Sequence, residues 1–204
     1  MRLALDAMGG DHGPGPNVAG AVAAVNAAPD LEVVLIGDPA IVEPLLASAG
    51  SPNRITIAPA SQNIAMDEKP AEALRKKPDS SITVGWKLAA TKQVDGFISA
   101  GNTGAVVAGG LFTRRFLKGV RRPGIAMVMP TAAGRCVIID VGANVFPKPS
   151  HLLQYGIMGS LYAQHVLNIP QPKIGLINVG EEEESGAPGG CLAWISTYVV
   201  SERP

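Results

Sequence analysis

The feature that most constrains this chain is an alternation of short apolar runs with longer, alanine- and valine-rich stretches. Leu3–Leu5, Leu31–Ile36 and Arg54–Ala58 read as strands. Between them, Asn17–Ala28 and Ile41–Ala49 read as helices, the first opened by Pro16 and the second closed by Gly50. Strands joined through helices must run parallel. The rhythm therefore predicts an α/β protein with a doubly wound, mostly parallel sheet.

The pattern then loosens. Pro59–Pro70 is a longer polar connection, within which Met66–Pro70 opens the next helix as a possible lid. Ala71–Lys76 and Ser80–Thr91 read as helices, Asp95–Ser99 as a buried strand, and Gly101–Phe116 as a helix of small residues. Two apolar runs, Gly124–Met129 and Arg135–Val141, flank Pro130–Gly134 and predict an antiparallel hairpin in or beside the sheet. Pro149–Leu167 reads as a long helix and Lys173–Val179 as a last strand.

Composition narrows the function classes. Hydrophobic residues make up 47% of the 204 residues and charged residues 17%, enough for a sizeable core. The formal net charge is zero, which does not point to nucleic acid or a polybasic membrane anchor. Of the two cysteines, Cys136 sits in a strand-like run and reads as a small core residue. No CxxC or zinc-spaced His/Cys cluster occurs, so neither a metal nor a cofactor is predicted. The opening Met1–Asp6 is too short and polar for a signal peptide, and no apolar run has spanning length, so the chain reads as cytoplasmic.

In open α/β sheets ligands bind beyond the carboxyl ends of strands, where helix N-termini present backbone N–H groups. Four loops fall there. Asp6–Pro14 holds Gly9, Gly10, Asp11 and His12; its glycines allow close backbone approach and His12 can carry a proton. The same loop also reads as a tight turn with Asp6 and Asp11 as caps. Ser99–Ala105 holds Gly101, Asn102, Thr103 and Gly104, with Ser99 or Asn102 as a helix cap and free N–H groups for an anion. Gly109-Gly110 further along that helix implies close approach by another group. Asp140–His151 brings Asp140, Gly142, Asn144, Lys148 and His151 into one loop and helix start, a set suited to an anion or a developing oxyanion. Asn178–Glu184 is acidic and reads as a helix-starting run. Neither GxGxxG nor a P-loop GK[ST] is present, so dinucleotide binding and triphosphate hydrolysis are not supported.

Taken in order, DAMGGDHGP at Asp6–Pro14, MDEKPAEALRKKPDSS at Met66–Ser81, SAGNTGA at Ser99–Ala105, DVGAN at Asp140–Asn144, KPSHL at Lys148–Leu152 and NVGEEE at Asn178–Glu183 resemble bacterial phosphate acyltransferases of the PlsX type. The resemblance implies a three-layer fold like that of isocitrate/isopropylmalate dehydrogenases, and a homodimer. It implies the reaction of acyl-[acyl-carrier-protein] with inorganic phosphate to give acyl phosphate and free carrier protein. It further implies peripheral membrane association, with the product passed to a glycerol-3-phosphate acyltransferase in phospholipid synthesis.

The residues suit that chemistry. Phosphate, whose second pKa is about 6, is largely ionised at neutral pH and needs positioning and oxyanion donors more than deprotonation. Asp6, Gly9, Gly10, Asp11, Gly101, Asn102, Thr103, Gly104, Asp140 and Gly142 are the candidate substrate-binding residues, and His12, Asn144, Lys148 and His151 the candidate catalytic ones. His12 or His151 would protonate the departing thiol. Because the carrier protein is acidic, Arg75, Lys76, Lys77, Arg114, Arg115, Arg121 and Arg122 become docking candidates.

Two stretches depart from the family pattern. Phe146-Pro147 replaces an expected acid and small residue beside Lys148. After Glu184 the resemblance stops, and residues 185–204 read as a divergent tail on a truncated single domain, 1–184. The competing functions are an acetyl-CoA:phosphate acetyltransferase and an inactive fragment that binds phosphate or a partner.

Overall fold

The computed structural model describes residues 1–113, 119–120, 122–132, 134–144, 147–177 and 197–201. The chain divides into two compact units, Met1–Arg115 and Phe116–Pro204.

The first unit follows the predicted rhythm: β1 (Arg2–Asp6), α1 (Gly15–Ala27), β2 (Glu32–Gly37), α2 (Pro39–Ser48), β3 (Ile55–Pro59), α3 (Pro70–Lys76), α4 (Ser81–Ala90), β4 (Gly96–Ile98) and α5 (Thr103–Phe112). Its four strands are all parallel, in the order β3-β2-β1-β4. The two-residue period of the strands explains why helices cover both faces. Leu3, Leu5, Val33, Leu35, Ile55 and Ile57 pack against Val18, Val22 and Val25 of α1 and Val42 and Leu46 of α2. Ala4, Val34, Ile36 and Ala58 belong to a second core with Val84, Leu88 and Ala89 of α4. Leu35 is fully buried, and truncating such a leucine to alanine costs about 2–5 kcal/mol.

A third core joins α3, α4 and α5 through Ala73, Leu74, Ile82 and Ala105. Here the Gly109-Gly110 pair finds its explanation. A Cβ on either glycine would lie 2.6 or 2.9 Å from the Trp86 ring, and the Trp86 indole N–H donates to the Val106 carbonyl at 2.8 Å. The group that approaches these glycines is a tryptophan of the same unit.

The second unit holds β5 (Ala126–Thr131), β6 (Gly134–Ile139), α6 (Pro149–His165), β7 (Lys173–Ile177) and β8 (Thr197–Ser201). The predicted hairpin is present, but its sheet is separate, in the order β5-β6-β8-β7, and every pair in it is antiparallel. The expected strand over Lys173–Val179 is present as β7, in this second sheet and not in the parallel one. Pro130 pairs opposite Arg135 on the edge strand β5, where a missing N–H costs no inner ladder bond. β8 was not anticipated; its Thr197-Tyr198-Val199-Val200 run is β-branched and aromatic, as strands favour. Val137, Ala163, Leu167 and Ile169 form the buried cluster between α6 and this sheet, and Cys136 is a buried strand residue as expected.

Among the described residues, no helix is long and apolar enough to cross a membrane, and no cluster of His, Cys, Asp and Glu is placed to hold a metal ion.

Candidate functional site

The order β3-β2-β1-β4 means that the chain winds one way from β1 to β3 and returns on the other side of β1 with β4. The winding reverses between β1 and β4, the place where a crevice opens at the carboxyl ends of an α/β sheet. The parallel register pairs Leu5 with Ile98, so the next residues, Asp6 and Ser99, leave the sheet side by side.

Asp6 is the centre of that crevice. It is 1% exposed, and its carboxylate is saturated by specific donors. Oδ1 accepts from the N–H groups of Met8 and Gly9, each at 3.1 Å, and Oδ2 accepts the Ser99 hydroxyl at 2.7 Å. Ser99 Oγ in turn accepts from Gly101 N at 3.0 Å. A buried carboxylate is tolerated only with such partners. Asp6 thus fastens the β1 and β4 loops to each other, and its oxygens are engaged within the protein.

The glycines have separate reasons. A Cβ on Gly9 would sit 2.6 Å from Asp6 Oδ2 and 2.7 Å from Gly101 N, so the two loops touch backbone to backbone there. Gly10 has φ +92, a left-handed conformation that disfavours a side chain. Asn17 in the first turn of α1 donates to the carbonyls of Ala7 and Gly9 at 3.0 and 2.7 Å and folds the loop back on the helix. Asp11 and His12 are exposed at the loop's outer side, where neither makes a hydrogen bond to another described residue.

Across the crevice, Asn102 caps α5 by accepting from Ala105 N at 2.9 Å. Its amide nitrogen donates to the carbonyls of Ala65, Met66 and Glu68 at 3.1, 3.2 and 3.0 Å. Asn102 is therefore occupied on both ends of its amide, holding the 65–68 strap against the start of α5. Lys77 secures the same strap, reaching Glu68 Oε2 at 2.5 Å and Asn63 O at 2.7 Å. That lysine, helped by the Ala65 N–H, holds the Glu68 carboxyl below the ordinary carboxylate range. Thr103 and Gly104 are exposed in the first turn of α5, where helix N–H groups lack intrahelical acceptors. Gly101 is buried between the two loops.

The second unit carries the remaining candidates. Asp140 Oδ1 accepts from Ile125 N at 2.9 Å and Ala143 N at 3.0 Å; its Oδ2 accepts from the backbone and side-chain nitrogens of Asn144, both at 2.8 Å. Asn144 also donates to Pro123 O at 3.0 Å and accepts from Arg122 Nε. The Nδ2 of Asn144, a candidate catalytic residue, donates to Asp140 and Pro123. Gly142 has φ +115, exposed and with open space around it. Lys148 is the exposed N-cap residue of α6, and its backbone N–H donates to His151 Nδ1 at 3.2 Å. A ring nitrogen that accepts leaves the proton of neutral His151 on Nε2. Tyr155, one turn further, is fully buried beside this network. Burial first, then the Asp140 carboxylate, push its phenol up to about 12.

These two sets are each brought together within their own unit: Asp6, Gly9, Gly10, Gly101 and Asn102 in one, Asp140, Asn144, Lys148 and His151 in the other. The acidic Asn178–Glu184 loop, Phe146, and Arg114, Arg115 and Arg121 lie outside the described residues.

The family profile described as "Fatty acid synthesis protein" matches residues 1–193. The chain belongs to that family. A relative named phosphate acyltransferase from Heliobacterium modesticaldum is 48% identical over 188 residues, covering 91% of this chain and 56% of the relative. The phosphate acyltransferase of Desulfitobacterium hafniense strain DCB-2 is 46% identical over 186 residues (91% and 55%), and that of Myxococcus xanthus 44% over 190 residues (92% and 54%). The chain spans about half the length of the curated relatives it matches.

Within this family member, sequence reasoning overlooked Asn17 and Tyr155; of the two caps it offered for α5, Ser99 and Asn102, the structure uses Asn102. Asn17 had a signal, being an amide in a helix's first turn directly after a glycine-rich loop. Tyr155 had only its rarity, in a chain with 4% aromatics.

Proposed function

We propose that this chain carries the phosphate-handling part of a phosphate acyltransferase, which moves the acyl group of acyl-[acyl-carrier-protein] to inorganic phosphate. The observation that carries this reading is the similarity, over about nine-tenths of the chain, to relatives named phosphate acyltransferase. The switch-point crevice supports it: Asp6 and Asn102 hold two glycine-rich loops and the exposed first turn of α5 at adjacent strand ends.

In this reaction a phosphate oxygen bonds to the thioester carbonyl carbon and the carbon–sulfur bond breaks. The leaving thiol has an ordinary pKa of about 8.5 and takes one proton on release. In the first unit, N–H groups at Thr103 and Gly104 and in the Gly9–Gly10 turn are the anion donors, with His12 a proton source. In the second unit, Lys148 is a cation suited to an oxyanion and His151 Nε2–H a proton source. Asp6, Gly101, Asn102, Asp140, Gly142 and Asn144 shape the loops, and Asp11 lies at the outer edge of the first. The proposal includes the finer points that the resemblance implies: a dehydrogenase-like three-layer fold, a homodimer, peripheral membrane association, a cytoplasmic setting and a role upstream of glycerol-3-phosphate acylation. Lys76 is paired with Glu72, Lys77 with Glu68 and Arg122 with Asn144, while Arg75, Lys76 and Arg122 are the exposed members of that set among the described residues.

The test is release of free carrier protein from palmitoyl-[acyl-carrier-protein] by the purified chain with and without phosphate. Phosphate-dependent release that falls sharply in Lys148→Ala supports the reading. Phosphate-independent release, or none from folded protein, removes the activity from this chain.

A further inference from the structure

We propose that Arg122 binds a phosphate group in the second unit, and that Asn144 and Asp140 aim it. Arg122 is exposed, and its Nε donates to Asn144 Oδ1. The Nδ2 of the same amide donates to Asp140 Oδ2 at 2.8 Å and to Pro123 O at 3.0 Å, which holds the amide with its oxygen toward Arg122. One edge of the guanidinium is thereby fixed. Its remaining N–H donors meet no acceptor among the described residues, and Arg122 forms no salt bridge there. The Asp140 carboxylate behind the amide is itself met by the N–H groups of Ile125, Ala143 and Asn144.

The backbone is held on both sides of Arg122. Gln154 Nε2 donates to Gly119 O at 3.1 Å, and Ile125 N donates to Asp140 Oδ1 at 2.9 Å. A Cβ on Gly124 would lie 3.1 Å from both the Tyr155 ring and Asp140 Cβ, so the chain passes tightly between α6 and the loop after β6. His151, Gln154 and Tyr155 are spaced i, i+3 and i+4 and share one face of α6. The segment bearing Arg122 therefore runs along the helix face that begins with His151, the second unit's proton source in the reading above.

A docking cation needs charge but no fixed aim. A guanidinium held on its Nε edge presents its terminal nitrogens as a planar fork, the geometry that meets two oxygens of one phosphate. This takes Arg122 out of the docking set and gives Asn144 and Asp140 a positioning task. The choice of phosphate among oxyanions rests on the functional reading above; the fixed fork does not.

The experiment titrates the full chain with inorganic phosphate. Proton–nitrogen NMR reads the Arg122 side chain and the backbone amide at position 144, with the Thr103 amide as reporter of the first unit. Thermal unfolding confirms that each variant folds. Phosphate should shift the Arg122 signals of the unaltered chain. In Arg122→Gln and Arg122→Lys, binding read at position 144 should weaken about tenfold, the lysine failing because it keeps the charge and loses the fork. Asn144→Ala should weaken it comparably with Arg122 in place, and the Arg122 Nε–H should exchange faster with water. Lys173→Gln, which removes an exposed cation of the same unit, should change neither. Full binding in either Arg122 variant, or no response of Arg122 to phosphate, overturns the assignment. Dimethyl phosphate, a diester, separates the sources of the group: tighter binding of inorganic phosphate assigns the site to the reaction's nucleophile, and tighter binding of the diester assigns it to an esterified phosphate. Phosphate-dependent release of carrier protein by Arg122→Gln at the unaltered rate sinks this site and leaves the functional reading standing. No release by the unaltered chain, with Arg122-dependent phosphate binding intact, does the reverse.

Discussion

Ser99 donates its hydroxyl to Asp6 Oδ2 at 2.7 Å, joining the ends of two strands that are 93 residues apart in the chain. The bond closes the crevice between β1 and β4 from below. It also leaves the Asp6 carboxylate with three specific donors and almost no exposure to water.

Removing Asp6 therefore strands more than one group. Asp6→Ala leaves the Met8 and Gly9 N–H groups and the Ser99 hydroxyl without their acceptor, at a cost of about 3 kcal/mol or more. Ser99→Ala deletes one donor and the acceptor of Gly101 N, at about 1–2 kcal/mol. Because they share a bond, the double variant should lose less than the two single losses together, by about 0.5–3 kcal/mol. Urea denaturation of all four proteins measures this, and strict additivity would show that the bond couples nothing.

Two glycines make opposite predictions. Gly9→Ala forces a methyl to within 2.6 Å of Asp6 Oδ2 and 2.7 Å of Gly101 N, and a backbone atom cannot swing aside. The loss should be about 1–3 kcal/mol as the loops part. Gly20→Ala lies on the exposed face of α1 with nothing within 4 Å, so it should gain about 0.5–1 kcal/mol through helix propensity. Calorimetric melting of both variants decides it; a stabilised Gly9→Ala would break the account of the crevice.

Asn102 separates a cap from a strap. Asn102→Asp keeps an acceptor for Ala105 N and places a negative charge at the helix N-terminus, which suits α5. The same carboxylate then faces the carbonyl oxygens of Ala65, Met66 and Glu68 that the amide had satisfied. Hydrogen exchange should show Ala105 still protected and the 65–69 strap opened. In Asn102→Ala both should loosen, with a cap loss of about 1 kcal/mol. Unchanged strap protection in Asn102→Asp would mean that Lys77 and Glu68 hold it alone.

How much of this was legible depended on distance along the chain. The first unit's helices and strands could be read because their periodicities are local, and Asp6 stood out as an acid at a strand end before glycines. Its partner Ser99 did not, because a contact across 93 residues leaves no local pattern. Gly109 and Gly110 announced a close approach correctly, but a glycine cannot say what approaches, and the neighbour proved to be Trp86. The hydrogen bonds of Asn144 were not legible either, since an amide's type does not reveal that Asp140, Pro123 and Arg122 engage it. The second sheet was only partly legible: its hairpin and β7 were predicted as elements, but Lys173–Ile177 is an apolar run that fits a parallel or an antiparallel neighbour equally well, and β8, which decides it, lies in a stretch with no family pattern.

Tyr155 supplies a dependence on alkaline pH. Its phenol is fully buried and makes no regular hydrogen bond, although Asn144 and Arg122 lie near enough to offset part of the rise to about 12. In the unfolded chain the phenol ionises near 10, so between about 10 and 12 the folded protein holds a proton that the unfolded chain has released. The stability contributed by the neutral phenol is fully present below pH 10 and is lost as pH rises through that window. Tyr155→Phe removes both the titration and the buried hydroxyl. At neutral pH it should be neutral or gain about 1 kcal/mol, because no good bond is lost. Above pH 10 its stability should fall less steeply than that of the unaltered chain. Denaturant midpoints collected from pH 8 to about 12 test this against the same linkage. If Tyr155→Phe lost stability at neutral pH, the hydroxyl would have to be a working member of the Asp140–Asn144 network, not a bystander buried beside it.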